Sequence, residues 1–140
     1  MTDRAPLPST DHDAPLGKAH VVVVDDDSAL LNALEFSLEA EGYHVRIFSD
    51  QEHLLARPDI MLSAACVVVD YRLKPLDGLQ LLAVLRARGL KAPAILVTTD
   101  PDDDCRRTAA RLGVPIVEKP LLSDDLSQLI ERLVGARNVH

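Results

Sequence analysis

VVVVDDDSALL, residues 21–31, joins four valines to three carboxylates and then to a leucine-bearing stretch. A short β-branched run of this kind reads as a buried strand. Its polar end falls where the strand stops, at Asp25, Asp26 and Asp27. Three further apolar runs end in the same way. Cys66–Val69 stops at Asp70, Ala94–Val97 at Thr98 and Thr99, and Pro115–Val117 at Glu118, Lys119 and Pro120. In an open parallel sheet, ligands bind outside the carboxyl ends of the strands. The four strand ends therefore gather carboxylates, a hydroxyl and an ammonium at one edge, a set suited to hold a divalent cation and a phosphoryl group together.

Helix signals lie between the runs. Ser28 is placed to cap a helix whose Leu30, Leu31, Leu34 and Leu38 share a face, with Gly42 at its end. Tyr43–Phe48 alternates like a strand, and Gln51–Arg57 reads as a short helix. The central strand is expected from Ser63 or Ala64 to Val69. Leu79, Leu82 and Leu85 mark a helix closed by Gly89. Asp102–Leu112 is expected to form another, closed by Gly113, followed by a strand over Val114–Val117. Ser123 is read as the cap of a last helix with Leu126, Leu129, Ile130 and Leu133 inward and Gly135 at its end.

Five βα units in series predict an α/β domain, a five-stranded parallel sheet with helices on both faces. Right-handed crossovers leave few topologies. The flavodoxin-like order 2-1-3-4-5 brings Asp25, Asp26 and Asp70 onto neighbouring strands. A flavin-binding flavodoxin itself is disfavoured, because three acids after Val24 would repel the cofactor's phosphate.

The 140 residues suit one domain. Residues 1–19 carry Pro6, Pro8 and Pro15 with no apolar period and are expected to form a flexible tail. The folded unit is read as 20–136, with 137–140 as a C-terminal tail. A net charge of −7 opposes nonspecific nucleic-acid binding, so no DNA partner is expected. No apolar stretch approaches the about 18 residues of a membrane span, and no signal-peptide core is present, so the chain reads as cytoplasmic with no membrane partner. Cys66 and Cys105 lack metal-ligand spacing and read as plain thiols.

Three carboxylates packed together repel one another, and a hard cation relieves the repulsion. Mg²⁺ takes oxygen ligands, often one or two carboxylates with a phosphate oxygen and water. Asp27 is the acid best explained as a plain cap or loop residue. A carboxylate beside a cation can act as a nucleophile and form an acyl phosphate. Asp70 is the best candidate, because it ends the central strand between the acidic pair and Thr98. Lys119 would neutralise phosphoryl charge and Thr98 would donate a hydrogen bond. Asp100, Asp102, Asp103 and Asp104 read as acids favoured by a helix N-terminus.

Through VVVVDDDSALL, VVVDYRLKPLDG, AILVTTD and IVEKP, the stretch His20–Gly135 resembles the receiver domain of two-component response regulators. The resemblance implies an acidic metal-binding pair at Asp25 and Asp26, the phosphoacceptor at Asp70 and a metal-binding backbone carbonyl at Arg72. It implies the site hydroxyl at Thr98, the site lysine at Lys119, a helix-opening glycine at Gly78 and a cis Lys119–Pro120 bond. Departures from the family pattern mark Ile116, where receivers usually place a switching Tyr or Phe, and Thr99, where Ala or Gly is usual. Thr99 is expected to narrow access to Asp70, and Ile116 to alter the usual coupling. Lys74, Pro75 and Glu118 also depart from the pattern.

The implied function is that of a single-domain response regulator. It would accept a phosphoryl group on Asp70, with Mg²⁺, from a histidine kinase or phosphotransfer protein. It would then signal or shuttle phosphate through contact with an unidentified output protein. It would assist its own phosphorylation and dephosphorylation only, without being an enzyme; homodimerisation is left open. The alternative is a phosphorylation-independent docking or dimerisation module, favoured by Ile116 and Thr99 and opposed by the five matching site residues. A phosphohydrolase of the haloacid dehalogenase type would need its nucleophile on the first strand and a cap domain.

Overall fold

A computed structural model of the chain describes residues 20–121 and 124–138. The elements run β1 (His20–Val24), α1 (Ser28–Ala40), β2 (His44–Phe48), α2 (Gln51–Leu55), α3 (Pro58–Ser63), β3 (Cys66–Asp70), α4 (Gly78–Ala87), β4 (Ala94–Thr98), α5 (Asp103–Leu112), β5 (Ile116–Glu118) and α6 (Asp125–Asn138). The strands form one parallel sheet in the order β2-β1-β3-β4-β5. The register sets Val24 beside Val69 and Asp70 beside Val97, so the polar strand ends meet at one edge.

The sheet is covered on both faces, which is why its strands read as continuous apolar runs. Val22, Val24, Val67, Val69 and Leu96 pack with Leu54 of α2, Ile60 and Met61 of α3, Leu81, Leu82 and Leu85 of α4, and Ala109 of α5. Val21, Val23, Cys66, Val68, Ile95 and Val97 pack with Leu31, Leu34 and Leu38 of α1 and with Leu126 and Ile130 of α6. Burying each such Val, Ile or Leu contributes about 1.5–3 kcal/mol relative to exposure. Both cysteines are buried free thiols.

Several boundaries differ from expectation. Asp27, not Ser28, is the N-cap of α1; its Oδ1 accepts the Leu30 N–H at 3.2 Å. The short helix expected over Gln51–Arg57 is α2, ending at Leu55, and a second helix not expected from the sequence, α3, follows it over Pro58–Ser63. Pro58 opens α3, and Arg57 before it is held off the helical region at φ −124°, ψ 67°. Ser63 therefore ends a helix, and β3 starts at Cys66 and includes Asp70. The fifth strand begins at Ile116 rather than Val114. The Val114 N–H closes α5 by bonding to the Ala109 carbonyl at 2.8 Å, and Pro115 has no N–H for the ladder. Helix α6 runs past Gly135 to Asn138, because Gly135 stays helical. Lys119–Pro120 is cis, as the family resemblance implied; Lys74–Pro75 is also cis. The expected 1–19 tail, the Ser123 cap and the last two residues of the expected C-terminal tail lie outside the described residues.

Candidate functional site

Four aspartates at the carboxyl edge of the sheet are engaged as helix caps. Asp27, Asp50, Asp77 and Asp102 each accept the N–H of the residue three further on, at 3.2, 2.9, 2.8 and 2.8 Å. Each satisfies a donor the helix cannot. The acidic run before α5 is thus partly structural, as its sequence position implied.

Three of the other acids at this edge, Asp25, Asp26 and Asp70, stand together. Asp25 directly follows β1 and is only 2 % exposed; Asp70 ends β3 and is 5 % exposed. Asp26 is exposed. One carboxylate oxygen from each of the three lies within 4.8 Å of the others. Asp25 is fixed by main-chain bonds: its N–H donates to the Phe48 carbonyl at 3.1 Å and its Oδ1 accepts the Asp27 N–H at 2.9 Å.

Lys119, just past β5, is anchored by its own N–H on the Thr98 carbonyl at 2.8 Å. Its Nζ reaches 3.1 Å from Asp25 Oδ2 and 3.0 Å from Asp70 Oδ1. Burial pushes the Asp25 carboxyl above the ordinary carboxylate range, with the Asp70 charge adding to it and the Asp27 N–H and Lys119 opposing it. Burial also works against the Lys119 charge. The hydrogen bonds and charges of Asp70 and Asp25 outweigh it and hold the ammonium above the usual lysine value.

With all three carboxylates ionised, three negative charges face one positive, leaving −2 for a cation to balance. Hard oxygen donors and a divalent charge deficit fit Mg²⁺. Thr98 is fully buried at the end of β4, and its hydroxyl donates to the Thr99 carbonyl at 3.4 Å, a weak bond that it can exchange for a better acceptor.

The loop from β3 to α4 is closed on itself beside Asp70. The Tyr71 N–H donates to Val97 O at 2.9 Å, and the Gly78 N–H to Tyr71 O at 2.7 Å. Gly78 must be a glycine here, because a Cβ would collide with the Asp70 carbonyl oxygen. Arg72, whose carbonyl the family resemblance assigns to metal, lies in this loop with an exposed side chain. Gln51 was not visible as a site residue in the sequence. It is 3 % exposed, and its side-chain amide bonds both the carbonyl and the N–H of Leu76. Its one signal was a polar residue on the inward face of a short amphipathic helix.

The structure brings Asp25, Asp26, Asp70 and Lys119 together. Thr99 is exposed just beyond Thr98, and the next residue, Asp100, sits at φ +55°. Ile116 is half-buried against the core layer beneath α2–α5 and is not part of the ionic cluster. Glu118 pairs with Arg106 of α5 at 3.2 Å.

Comparison with known proteins agrees with this geometry. The response regulator receiver domain family matches residues 21–131. The chain belongs to that family. Receiver domains are the signalling modules of two-component systems; they are not enzymes in the ordinary sense, and they bind Mg²⁺ at an aspartate cluster. This receiver is 37 % identical over 119 residues to the transcriptional regulatory protein FixJ of Bradyrhizobium diazoefficiens, covering 84 % of this chain and 57 % of FixJ. It is 32 % identical over 123 residues to the DNA-binding transcriptional regulator NtrC of Proteus hauseri, covering 84 % and 25 % of the two chains. A receiver-domain crystal structure from Clostridium thermocellum superposes with TM-score 0.78 at 26 % identity, over 86 % of this receiver and 98 % of that chain. The receiver thus spans little more than half of FixJ and a quarter of NtrC. Among the described residues no helix is long and apolar enough to cross a membrane.

Proposed function

We propose that this receiver accepts a phosphoryl group on Asp70 from the phosphohistidine of a histidine kinase or phosphotransfer protein. A carboxylate oxygen of Asp70 attacks phosphorus, the P–N bond breaks, and the imidazole leaves with the bond's electron pair and takes up a proton. The product is an acyl phosphate. The metal would be held by Asp25, Asp26, Asp70 and the Arg72 carbonyl. When bound, Mg²⁺ supplies charge neutralisation to the phosphoryl oxygens. Lys119 stands ready to transfer its ammonium from carboxylate to phosphoryl oxygen, and the Thr98 hydroxyl can turn to another. The observation that carries this reading is the placement of the Lys119 Nζ between the two buried carboxylates of the cluster.

Residues 20–136 would act as the receiver unit in the cytoplasm, where histidine kinases present their phosphohistidine. Its charge of −7 supports signalling through protein contacts rather than direct contact with nucleic acid. It would assist its own phosphorylation and dephosphorylation and turn over no other substrate. Thr99 would restrict access to Asp70, and Ile116 would replace the usual aromatic switch by an aliphatic packing contact.

Intact-mass measurement after incubation with Mg²⁺ and acetyl phosphate tests this. One added phosphoryl group is expected on the wild type, and none on Asp70→Asn or in the presence of chelator. Absence of both an adduct and Mg²⁺-dependent beryllofluoride binding in the wild type would overturn it.

A further inference from the structure

Gln51 lies outside the aspartate cluster, yet it is one of only four buried polar or charged residues among those described; the others are Asp25, Asp70 and Thr98. It opens α2, the helix that follows β2, which is the edge strand of the sheet opposite β5. Its side chain spans 25 positions of sequence to reach Leu76, donating from Nε2 to the Leu76 carbonyl and accepting the Leu76 N–H on Oε1 at 3.3 Å. A primary amide carries a donor and an acceptor on separate atoms and so can bond both main-chain groups of a single residue at once. A capping carboxylate or a lysine could serve only one of them.

The segment so held is the loop that carries the Arg72 carbonyl. Its two ends are already joined, Gly78 N–H to Tyr71 O at 2.7 Å, and its exit is locked by the reciprocal bonds of Asp77 and Gln80. Leu73 is buried inside it. Leu76 is its remaining main-chain attachment point toward α2, and Gln51 takes both of its polar groups. Without the amide, Leu76 would keep its side-chain packing against the core but lose both main-chain partners.

We propose that Gln51 is a positioning residue for the metal site: by clamping Leu76 it fixes the β3–α4 loop so that the Arg72 carbonyl is presented to the cation. This inference rests on the receiver reading of Asp25, Asp26, Asp70 and Arg72. Groups that orient metal ligands without touching the metal are commonly worth 10–100-fold in affinity.

The test is titration of the whole chain with Mg²⁺ alone, followed by amide NMR, with thermal midpoints recorded in parallel. Gln51→Met, similar in length but without donor or acceptor, should weaken Mg²⁺ binding by about tenfold or more. It should also abolish the Mg²⁺-induced shift at the amide following Arg72, while the shifts at Asp25 and Asp26 persist. Gln51→Glu keeps an acceptor for the Leu76 N–H but turns a carboxylate toward the Leu76 carbonyl, and should weaken binding as well; it serves if Gln51→Met does not fold. Ile60→Val, a core truncation on α3 away from the loop, should lower the thermal midpoint and leave Mg²⁺ affinity unchanged. Unchanged affinity in both Gln51 variants, or an equal loss in Ile60→Val, would overturn the positioning role alone. Absence of Mg²⁺ binding by the wild type would overturn the receiver reading and this inference together.

Discussion

Lys119 Nζ lies 3.0 Å from Asp70 Oδ1, although the two residues follow and end strands separated by β4. The contact spans the sheet edge because Lys119 leaves β5 on a main-chain bond to Thr98, which sends its side chain back across β4. The same ammonium bonds Asp25, so a single positive charge serves two buried negative ones.

Replacing Lys119 with Met should therefore act in two directions. Without metal, two buried carboxylates lose their shared partner. The folded state should lose about 2 kcal/mol, below the ~3–5 of a fully buried pair because the lysine keeps some solvent contact. Mg²⁺ should bind more tightly, having no ammonium to displace, while phosphorylation of Asp70 by acetyl phosphate slows. Thermal midpoints with and without Mg²⁺, together with intact-mass time courses, check both halves; weaker Mg²⁺ binding in the variant would contradict the competition.

Asp25 and Lys119 give the stability a defined pH dependence. A carboxyl raised in the folded state holds its proton more tightly there than when unfolded. Its cost is absent at acid pH, grows as pH rises through the ordinary carboxylate range near about 4, and is complete above the raised value. In chelator, the wild type should thus lose stability relative to Asp25→Asn between acid and neutral pH. Lys119, also raised, contributes stability that is full below the ordinary lysine value and is lost as pH rises through its higher folded value. Unfolding midpoints across pH for both proteins check this, and parallel curves in the acid range would rule out the Asp25 effect.

Gly78→Ala should be costly for its size. The added methyl would meet the Asp70 carbonyl oxygen, with the Leu96 side chain also close. Backbone has to shift to admit it, at about 1–3 kcal/mol. Because the displaced backbone belongs to Asp70, the proposed phosphoacceptor, the loss of stability should come with slower phosphorylation. Denaturant midpoints and mass measurements read the two effects.

Asp102→Ala should separate capping from metal chemistry among the acids of this edge. Asp102 accepts the Cys105 N–H at 2.8 Å and starts α5. Its removal should cost about 1 kcal/mol and leave Mg²⁺ affinity unchanged. An affinity change as large as that of Asp26→Asn would assign Asp102 to the metal site instead.

Much of this was legible because two kinds of pattern coincide. Val21–Val24 and Cys66–Val69 announce strands by their side chains, and the residues that end them carry the chemistry. Strand order alone then brings Asp25, Asp26 and Asp70 together. Lys119 was legible through its place at the end of the last strand. What escaped depends on contacts distant in sequence or on main-chain geometry. Gln51 looks like an ordinary helix residue until the loop around Leu76 is folded over it. Helix α3 is hard to read because a proline after a helical stretch marks a stop, whereas Pro58 opens a second helix with Ile60 and Met61 inward. The late start of β5 follows from Val114 being used to close α5, a bond that no periodicity encodes.

The packing of Gly78 against Asp70 makes the surroundings of the proposed phosphoacceptor mechanically unequal. On one side there is no slack. Helix α4 begins in contact with the Asp70 main chain, the capping box of Asp77 and Gln80 locks its first turn, and the leucines of α4 are sealed into the core. On the other side, Thr99 and Asp100 are solvent-exposed, Asp100 holds a left-handed backbone uncommon for a residue with a side chain, and the Thr98 hydroxyl is only weakly engaged. A phosphoryl group on Asp70 would thus meet backbone without slack on its α4 side and exposed, weakly bonded chain on its β4 side, so any rearrangement it drives is expected at Thr99 and Asp100.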